Sequence, residues 1–437
     1  MSSPWKNGVS MPEFESLDGN ARTDVLIIGG GIAGILCAYM LEQAGVDYIL
    51  AEGGRICSGI TGNTTAKITA QHGLVYDGLI RRFGTEKTGM YLEANQQALE
   101  RYRRLAQDFD CDFEEKDSFI YSADDPDKLE KEAKALEKLG YPAEIVRKLP
   151  LPFDTAGAVV FRDQAQCNPM KLAAGMSVGL NIFENTAVRR LHGKTAVTDR
   201  GTIRAEKIIV ATHFPLLNRH GSYFIKMYQH RSYVIALEDA QNVEGMYADE
   251  SPDGLSFRNY GNLLLLGGGG HRTGKNGGNW RELRTFAEAY YPDAKEKYRW
   301  AAQDCMTLDS VPYVGRYSAR TGDLFVTTGF NKWGMTSAMA AATLLCNLVQ
   351  DKADPSADVF SPSRSMLRPQ LAVNALESVG GMLSFSPKRC PHLGCALKWN
   401  PDEHSWDCPC HGSRFSEDGR LIDNPAMKDI NGSADSD

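Results

Sequence analysis

The sequence predicts an α/β chain with a Rossmann-like dinucleotide-binding domain, a mixed α+β second domain and a small C-terminal module. Three observations carry this. Residues 24–50 run from an apolar strand (DVLIIGG) through helical spacing to a second strand (VDYILAE), which is a βαβ unit. Residues 351–364 (DKADPSADVFSPSR) are rich in Asp, Ser and Pro and lack apolar periodicity, which marks a linker. Beyond them, four of the ten cysteines crowd between 390 and 410 with two histidines among them, in a remainder short enough to need a staple.

Bulk properties bound the answer. The chain has 437 residues, more than one ordinary core holds, with 42% hydrophobic and 24% charged residues, the profile of a soluble globular protein. A net charge of −7 argues against nucleic acid as the main partner, because a phosphate-binding surface needs a basic excess. The opening MSSPWKNGVSMPEF has neither the apolar core nor the small-residue cleavage site of a secretory signal. The apolar run at 25–41 is interrupted by four glycines and falls short of the roughly 20 residues a spanning helix needs. A cytoplasmic protein without a membrane span is expected.

The elements follow in order. Residues 85–109 and 125–139 have the charged amphipathic pattern of surface helices. Residues 205–211 (AEKIIVA) and 262–266 read as strands, and the Ala-rich stretch 335–349 as a buried helix. Gly267 to Gly270 is not a phosphate loop, since it lacks the G-K-[ST] ending. The six cysteines scattered over the first 350 residues read as buried or idle thiols.

Within the βαβ unit, Gly29-Gly30-Gly31-Ile32-Ala33-Gly34 fits G-x-G-x-x-G between strand and helix, and Glu52 stands at the end of the next strand. The glycines permit a tight turn, close approach of a pyrophosphate at the helix N-terminus, and close helix–strand packing. Glu52 would accept the ribose hydroxyls and disfavour a 2′-phosphate.

The C-terminal loops read Cys390-Pro-His392-Leu-Gly-Cys395 and Cys408-Pro-Cys410-His411-Gly-Ser413. Each offers one thiolate and one imidazole. Two Cys on one iron and two His on the other make a Rieske-type [2Fe–2S] centre, so Cys390, His392, Cys408 and His411 are the expected ligands. The competing assignment is a structural zinc site, but a zinc knuckle rarely carries a third Cys per loop or the H-L-G-C and C-H-G-S flanks. His404 reads as charged-loop material.

From about 388 to 426 the chain resembles Rieske domains, with Gly394, Gly412-Ser413 and Asn424-Pro425-Ala426 in place. The resemblance implies a disulfide between Cys395 and Cys410 and a hydrogen bond from Ser413 to a cluster sulfur. Phe415 stands where high-potential members carry Tyr, which implies a lower potential. The early strands of the usual base domain are shortened or lost.

From about 24 to 349 the chain resembles the D-amino-acid-oxidase-like FAD-dependent oxidoreductases, which include glycine and sarcosine oxidases. Four segments carry this: Glu52-Gly53-Gly54-Arg55 with Ser58-Gly59; Ile208-Ile209-Val210-Ala211-Thr212; Asp309-Ser-Val-Pro312-Tyr-Val-Gly315; and Gly329-Phe330-Asn331-Lys332-Trp333-Gly334-Met335-Thr336. Thr64-Thr65-Ala66-Lys67 and Gln71-His72-Gly73 resemble the bacterial Rieske-containing members in particular. The implied fold is an FAD-binding Rossmann-like domain of glutathione-reductase type (about 20–75, 150–215 and 300–350), with an α+β substrate domain (about 76–149 and 216–299). A linker (351–369) and a shortened all-β Rieske module (370–437) follow. The implied FAD contacts are Gly29, Gly31, Ile32, Ala33, Gly34, Glu52, Gly53, Arg55, Ser58, Thr64, Thr65, Ala66, Val188, Ala211, Thr212, Gly329, Asn331, Trp333, Gly334, Met335 and Thr336. A helix N-terminus after Gly334 would stabilise negative charge on the flavin.

Lys67, His271 and Lys332 are the candidate catalytic residues, with Arg272 beside them at a strand end expected to face substrate. The resemblance implies oxidation of a small amine or amino acid at the C–N bond. Electrons would then pass one at a time through the cluster to an external acceptor or partner protein. The alternative is an electron-transfer flavo-iron-sulfur protein with no amine substrate.

Overall fold

The computed structural model describes residues 2–217, 221–251 and 253–430, so the final stretch of the C-terminal module, 431–437, lies outside the described residues. Three sheets organise the chain. The first has eight strands in the order Tyr313–Arg316, Leu324–Thr328, Thr202–Val210, Ala21–Ile28, Tyr48–Ala51 and Ile182–Phe183, with the hairpin Val188–His192/Thr195–Thr198 joined to Thr202–Val210. Its centre is parallel: Ile28 is level with Ala51 on one side and Val210 on the other. The C-terminal halves of the central strands, Val25–Ile28 and Ile208–Val210, and the whole of Tyr48–Ala51 are apolar and buried because helices cover the sheet there. Ile32–Gln43 packs against Gly334–Val349 there, in the largest core cluster. The predicted strand at 205–211 and helix at 335–349 are found within a residue or a few of their expected bounds.

The second sheet has nine strands, running from Lys295–Thr307 through Met227–Glu238, Leu263–Arg272, Ser256–Tyr260, Met246–Asp249, Glu114–Ser122 and Gly157–Gln166 to Lys67–Ile68, with Glu144–Val146 also paired to Gly157–Gln166. Helices Tyr76–Asp108 and Pro126–Lys138 flank it. The first of these is broken at Gly84, where φ is 79°, so the helical spacing legible from 85 onward is the segment after the break.

The stretch 351–364 is not the free linker its composition suggests. It holds the short helix Ala357–Phe360, with Val359 and Phe360 buried. Arg364 then pairs with Asp309 at 2.7 Å and donates to the Pro312 carbonyl at 2.9 Å. Burying one arginine against a buried carboxylate holds the segment to the first domain. The C-terminal module opens with helix Pro369–Leu383, in place of early strands, and continues as a four-stranded antiparallel sheet, Lys398–Asn400, Ser405–Asp407, Arg414–Ser416 and Leu421–Asp423.

Candidate functional site

Between the first two sheets lies a cavity of about 970 Å³. The glycine fingerprint forms one end of it. Gly31 faces open space, with Thr61 Oγ1 the nearest atom at 3.5 Å from where a Cβ would sit, so a ligand can approach the backbone there. Gly34 faces inward instead. A Cβ on it would stand 1.9 Å from the Gly29 carbonyl oxygen, which is the close packing expected of the third glycine. Glu52 lines the cavity, and its carboxylate accepts from Gly30 N at 2.7 Å and Gly54 N at 2.8 Å. It therefore shapes the loop before it meets any ribose. This cradle fits the pyrophosphate end of FAD, and the cavity is elongated enough in its lining to run from the fingerprint to the 329–335 loop.

Most of the expected contacts line the cavity: Gly29, Gly31, Ile32, Ala33, Gly53, Arg55, Ser58, Thr64, Thr65, Val188, Ala211, Thr212, Gly329, Asn331, Trp333, Gly334 and Met335. Three do not. Gly34 is used in packing, Ala66 is buried, and Thr336 is turned to the Thr69 carbonyl at 2.8 Å. His72 explains the last. Its Nε2 meets Thr336 Oγ1 at 2.9 Å and its Nδ1 meets the Tyr91 hydroxyl at 2.6 Å, while its ring stacks on Trp333. Burial holds it neutral, with its pKa pushed down to about 3. The Gln71-His72-Gly73 motif thus braces the start of helix Gly334–Val349. Asn331 and Lys332 just before that helix have positive φ, 50° and 73°, and Asn331 Oδ1 accepts from Thr307 N at 2.7 Å.

Lys67 and Lys332 both line the cavity. Burial, with the neighbouring Arg258 charge added, pushes Lys67 down to about 7. Burial also lowers Lys332, against the opposing pull of Asp304 and Asp253.

His271 and Arg272 do not face the cavity as expected. Gly270 lines it, so the alternating strand turns His271 to the other side, where it stacks behind Tyr233 with Nε2 at 3.1 Å from the hydroxyl. Arg272 reaches the C-terminal module, donating to Asn374 Oδ1 at 3.0 Å and, more loosely at 3.4 Å, to the Pro409 and Cys410 carbonyls. Tyr228, Ser232 and Asp304 take the places at the cavity wall instead. A bulge between Arg231 and Tyr233 turns both Ser232 and Tyr233 toward the cavity.

The two cysteine–histidine loops converge. Cys390 and Cys408 are both buried where the loops meet, and the His392 and His411 rings stand 5.0 Å apart at 87°. Ser413 bonds to Cys390. His411 Nδ1 is buried with no hydrogen-bond partner, the mark of a ligand atom. Cys395, Cys408 and Cys410 have sulfurs within 4.8 Å of one another, but Cys395 and Cys410 are joined as a disulfide. That leaves Cys390, His392, Cys408 and His411 as the donor set, which suits a [2Fe–2S] cluster.

The module docks on the cavity wall. Gln229 Nε2 donates to the His411 carbonyl at 2.9 Å and to the Asn424 carbonyl at 3.0 Å. Gln303 Nε2 donates to Gln229 Oε1 and to the Gly412 carbonyl. Asn424 Nδ2 donates to the Thr212 and Phe214 carbonyls, both at 2.9 Å, and residues 421–424 line the cavity. A buried ion network adds Glu403, held between Arg231 and Arg414.

Comparison with known proteins gives a consistent picture. The family model for FAD-dependent oxidoreductases of DAO type matches residues 24–348, and that for the Rieske [2Fe-2S] domain matches 361–433. The chain is 33% identical to the Rieske 2Fe-2S iron-sulfur protein YhfW of Bacillus subtilis (strain 168), over 98% of this chain and 96% of that one. It is 24% identical to the gamma-glutamylputrescine oxidoreductase of Escherichia coli (strain K12), over 78% and 87%. Its fold resembles the L-proline dehydrogenase of P. horikoshii, with a TM-score of 0.67 and 18% identity over 80% and 98%.

Proposed function

The chain belongs to the DAO family of FAD-dependent oxidoreductases and carries a C-terminal Rieske [2Fe-2S] domain, and on that premise we propose that it oxidises a small amine or amino acid at the C–N bond and sends the electrons outward through the cluster. Bound FAD would accept the hydride and the cluster would take electrons singly. The observation that carries the reading is the docking of the His411 loop on Gln229, a residue of the same strand that gives Tyr228, Ser232 and Tyr233 to the cavity.

The amine substrate class rests on the residues that line the cavity and on a relative named for an amine, the gamma-glutamylputrescine oxidoreductase. Hydride leaves a C–H beside nitrogen most readily when the nitrogen is neutral. Lys67, with its pKa near 7, takes the proton from an arriving ammonium at Nζ. Tyr228, Ser232 and Asp304 on the cavity wall then orient the substrate. The residues that would hold FAD are those of the fingerprint, Glu52 and the 329–335 loop. Those that would hold the cluster are Cys390, His392, Cys408 and His411.

The test is an anaerobic screen of amines and amino acids that follows flavin bleaching and the cluster EPR signal together. A substrate that reduces the flavin and then the cluster supports the proposal. A flavin that bleaches while the cluster stays oxidised removes the relay, and a flavin that no amine reduces removes the substrate class.

A further inference from the structure

Helix Pro369–Leu383 is amphipathic in the inverse sense. The stripe it turns to the protein is Asn374, Ser378 and Gly381, all buried, at i, i+4 and i+7. A Cβ on Gly381 would stand 2.4 Å from Cys410 Sγ, and Ser378 Oγ lies 3.4 Å from His411 Nε2, so the polar, small-residue face is pressed onto the cluster loops. The apolar side chains point outward. Leu376 is 72% exposed, Leu383 82% and Phe385, just past the helix, 92%. Leu367 before the helix and Leu393 beside the ligand His392 are exposed as well. This face is held in shape: the Arg389 guanidinium donates to the Met382, Ser384 and Gly394 carbonyls, tying the helix C-terminus to the ligand loop.

The charge around this face runs against the rest of the molecule. Residues 365–400 contain four basic residues and one acidic, in a chain of net charge −7. The acid, Glu377, is paired with Lys275. Arg389 and Lys398 are exposed at the rim, with Arg368 and Lys388 partly so. A second copy docked about a two-fold axis would set these rims against each other, like charge to like. An apolar centre with a basic border instead complements an anionic lipid surface, where leucine and phenylalanine enter the acyl boundary and lysine and arginine meet the headgroups. No helix among the described residues is long and apolar enough to cross a membrane, so the surface would lie on the bilayer.

We infer that the face formed by helix Pro369–Leu383, Phe385 and Leu393 binds an anionic membrane surface, presenting the His392 edge of the cluster site to it. Delivery of electrons at that surface rests on the outward relay proposed above; the binding itself does not.

The experiment is co-sedimentation of the full-length holoprotein with vesicles of equal parts phosphatidylglycerol and phosphatidylcholine, beside vesicles of phosphatidylcholine alone. Binding is expected to the anionic vesicles, weakened by salt. Leu383→Ser with Phe385→Ser should lower the partition coefficient by about tenfold per side chain, and Arg368→Glu with Lys398→Glu should abolish the preference for the anionic lipid. Normal flavin and cluster spectra and an unchanged melting temperature establish that these exposed-site variants are folded. No binding, or equal binding to both vesicles, overturns the inference. So does a concentration-dependent dimer that the Leu383→Ser, Phe385→Ser variant dissolves, which would assign the face to a second copy. Because vesicle binding is read without substrate turnover, its failure is separable from failure of the electron relay.

Discussion

Gln229 Nε2 and the His411 carbonyl oxygen stand 2.9 Å apart, so one side chain joins the wall of the cavity to a loop of the cluster site. Gln229 is almost wholly buried and also holds the Asn424 carbonyl. Gln303 fixes its orientation, because the Gln303 amide occupies the Gln229 oxygen.

Replacing Gln229 by Leu removes both donated bonds and leaves two carbonyls buried without that partner. A stability loss of about 1–3 kcal/mol is expected. Cluster content should persist while the step from reduced flavin to cluster slows, as read by anaerobic stopped-flow. An unaltered cluster reduction rate would separate the docking contact from the relay.

Glu403 sits between the Arg231 and Arg414 guanidinium groups, with all three side chains at or below 10% exposure. Glu403→Leu removes the carboxylate paired with Arg231 at the junction between sheet and module, while Arg414 keeps Asp407 and Asp423. Breaking a buried pair in this way costs about 3–5 kcal/mol. Calorimetry should show a lowered melting temperature, and proteolysis should begin near the module. Full retention of thermal stability would contradict the packing argument.

Lys67 provides a pH signature. Its pKa in the folded chain is about 7, below the ordinary lysine value, so between the two the unfolded chain binds more protons. Stability from this residue therefore rises with pH through that window and is lowest below about 7. Substrate oxidation should rise through the same pH as Nζ becomes able to take a proton. Lys67→Met should flatten both profiles, measured by denaturant unfolding and by anaerobic flavin reduction; a rate profile that kept its limb near neutrality would assign that limb to another group.

Gly34→Val places side-chain carbon on the Gly29 carbonyl, where even a Cβ would stand at 1.9 Å. The turn must open, and FAD loading, followed by flavin absorbance, should be lost while iron and sulfide remain. A variant purified yellow and fully loaded would show that the fingerprint tolerates the shift.

At the cluster site, equimolar iron and sulfide and a reduced EPR spectrum with low average g are expected. His392→Cys, if it retains the cluster, should lower the potential, since a thiolate adds negative charge beside the iron. Stoichiometric zinc without sulfide would refute the ligand assignment.

The chemistry of this chain was legible where it is local. The fingerprint from Gly29 to Gly34, the acid at Glu52, and the two loops from Cys390 and Cys408 each place their groups within a few residues, so spacing alone reports the geometry. The helix at 126–138 was legible because its charged amphipathic spacing extends over several turns, and that at 334–349 because it is a long Ala-rich apolar run. Composition misled at 351–364, since it cannot show that Arg364 will find Asp309.

The residues in order along the chain were therefore enough to expect Cys390, His392, Cys408 and His411 as the cluster donors, and to read the dinucleotide turn and the α/β class. Tertiary structure alone decided that Arg272 braces the cluster loop, that His271 lies behind Tyr233, and that Tyr228 and Asp304 reach the cavity. It also decided that helix Pro369–Leu383 turns Asn374 inward and Leu376 outward. The reason is register. In a strand each step of one residue exchanges the two faces, and a helix face acquires meaning only from its neighbour, so these assignments depend on pairings between segments far apart in the chain.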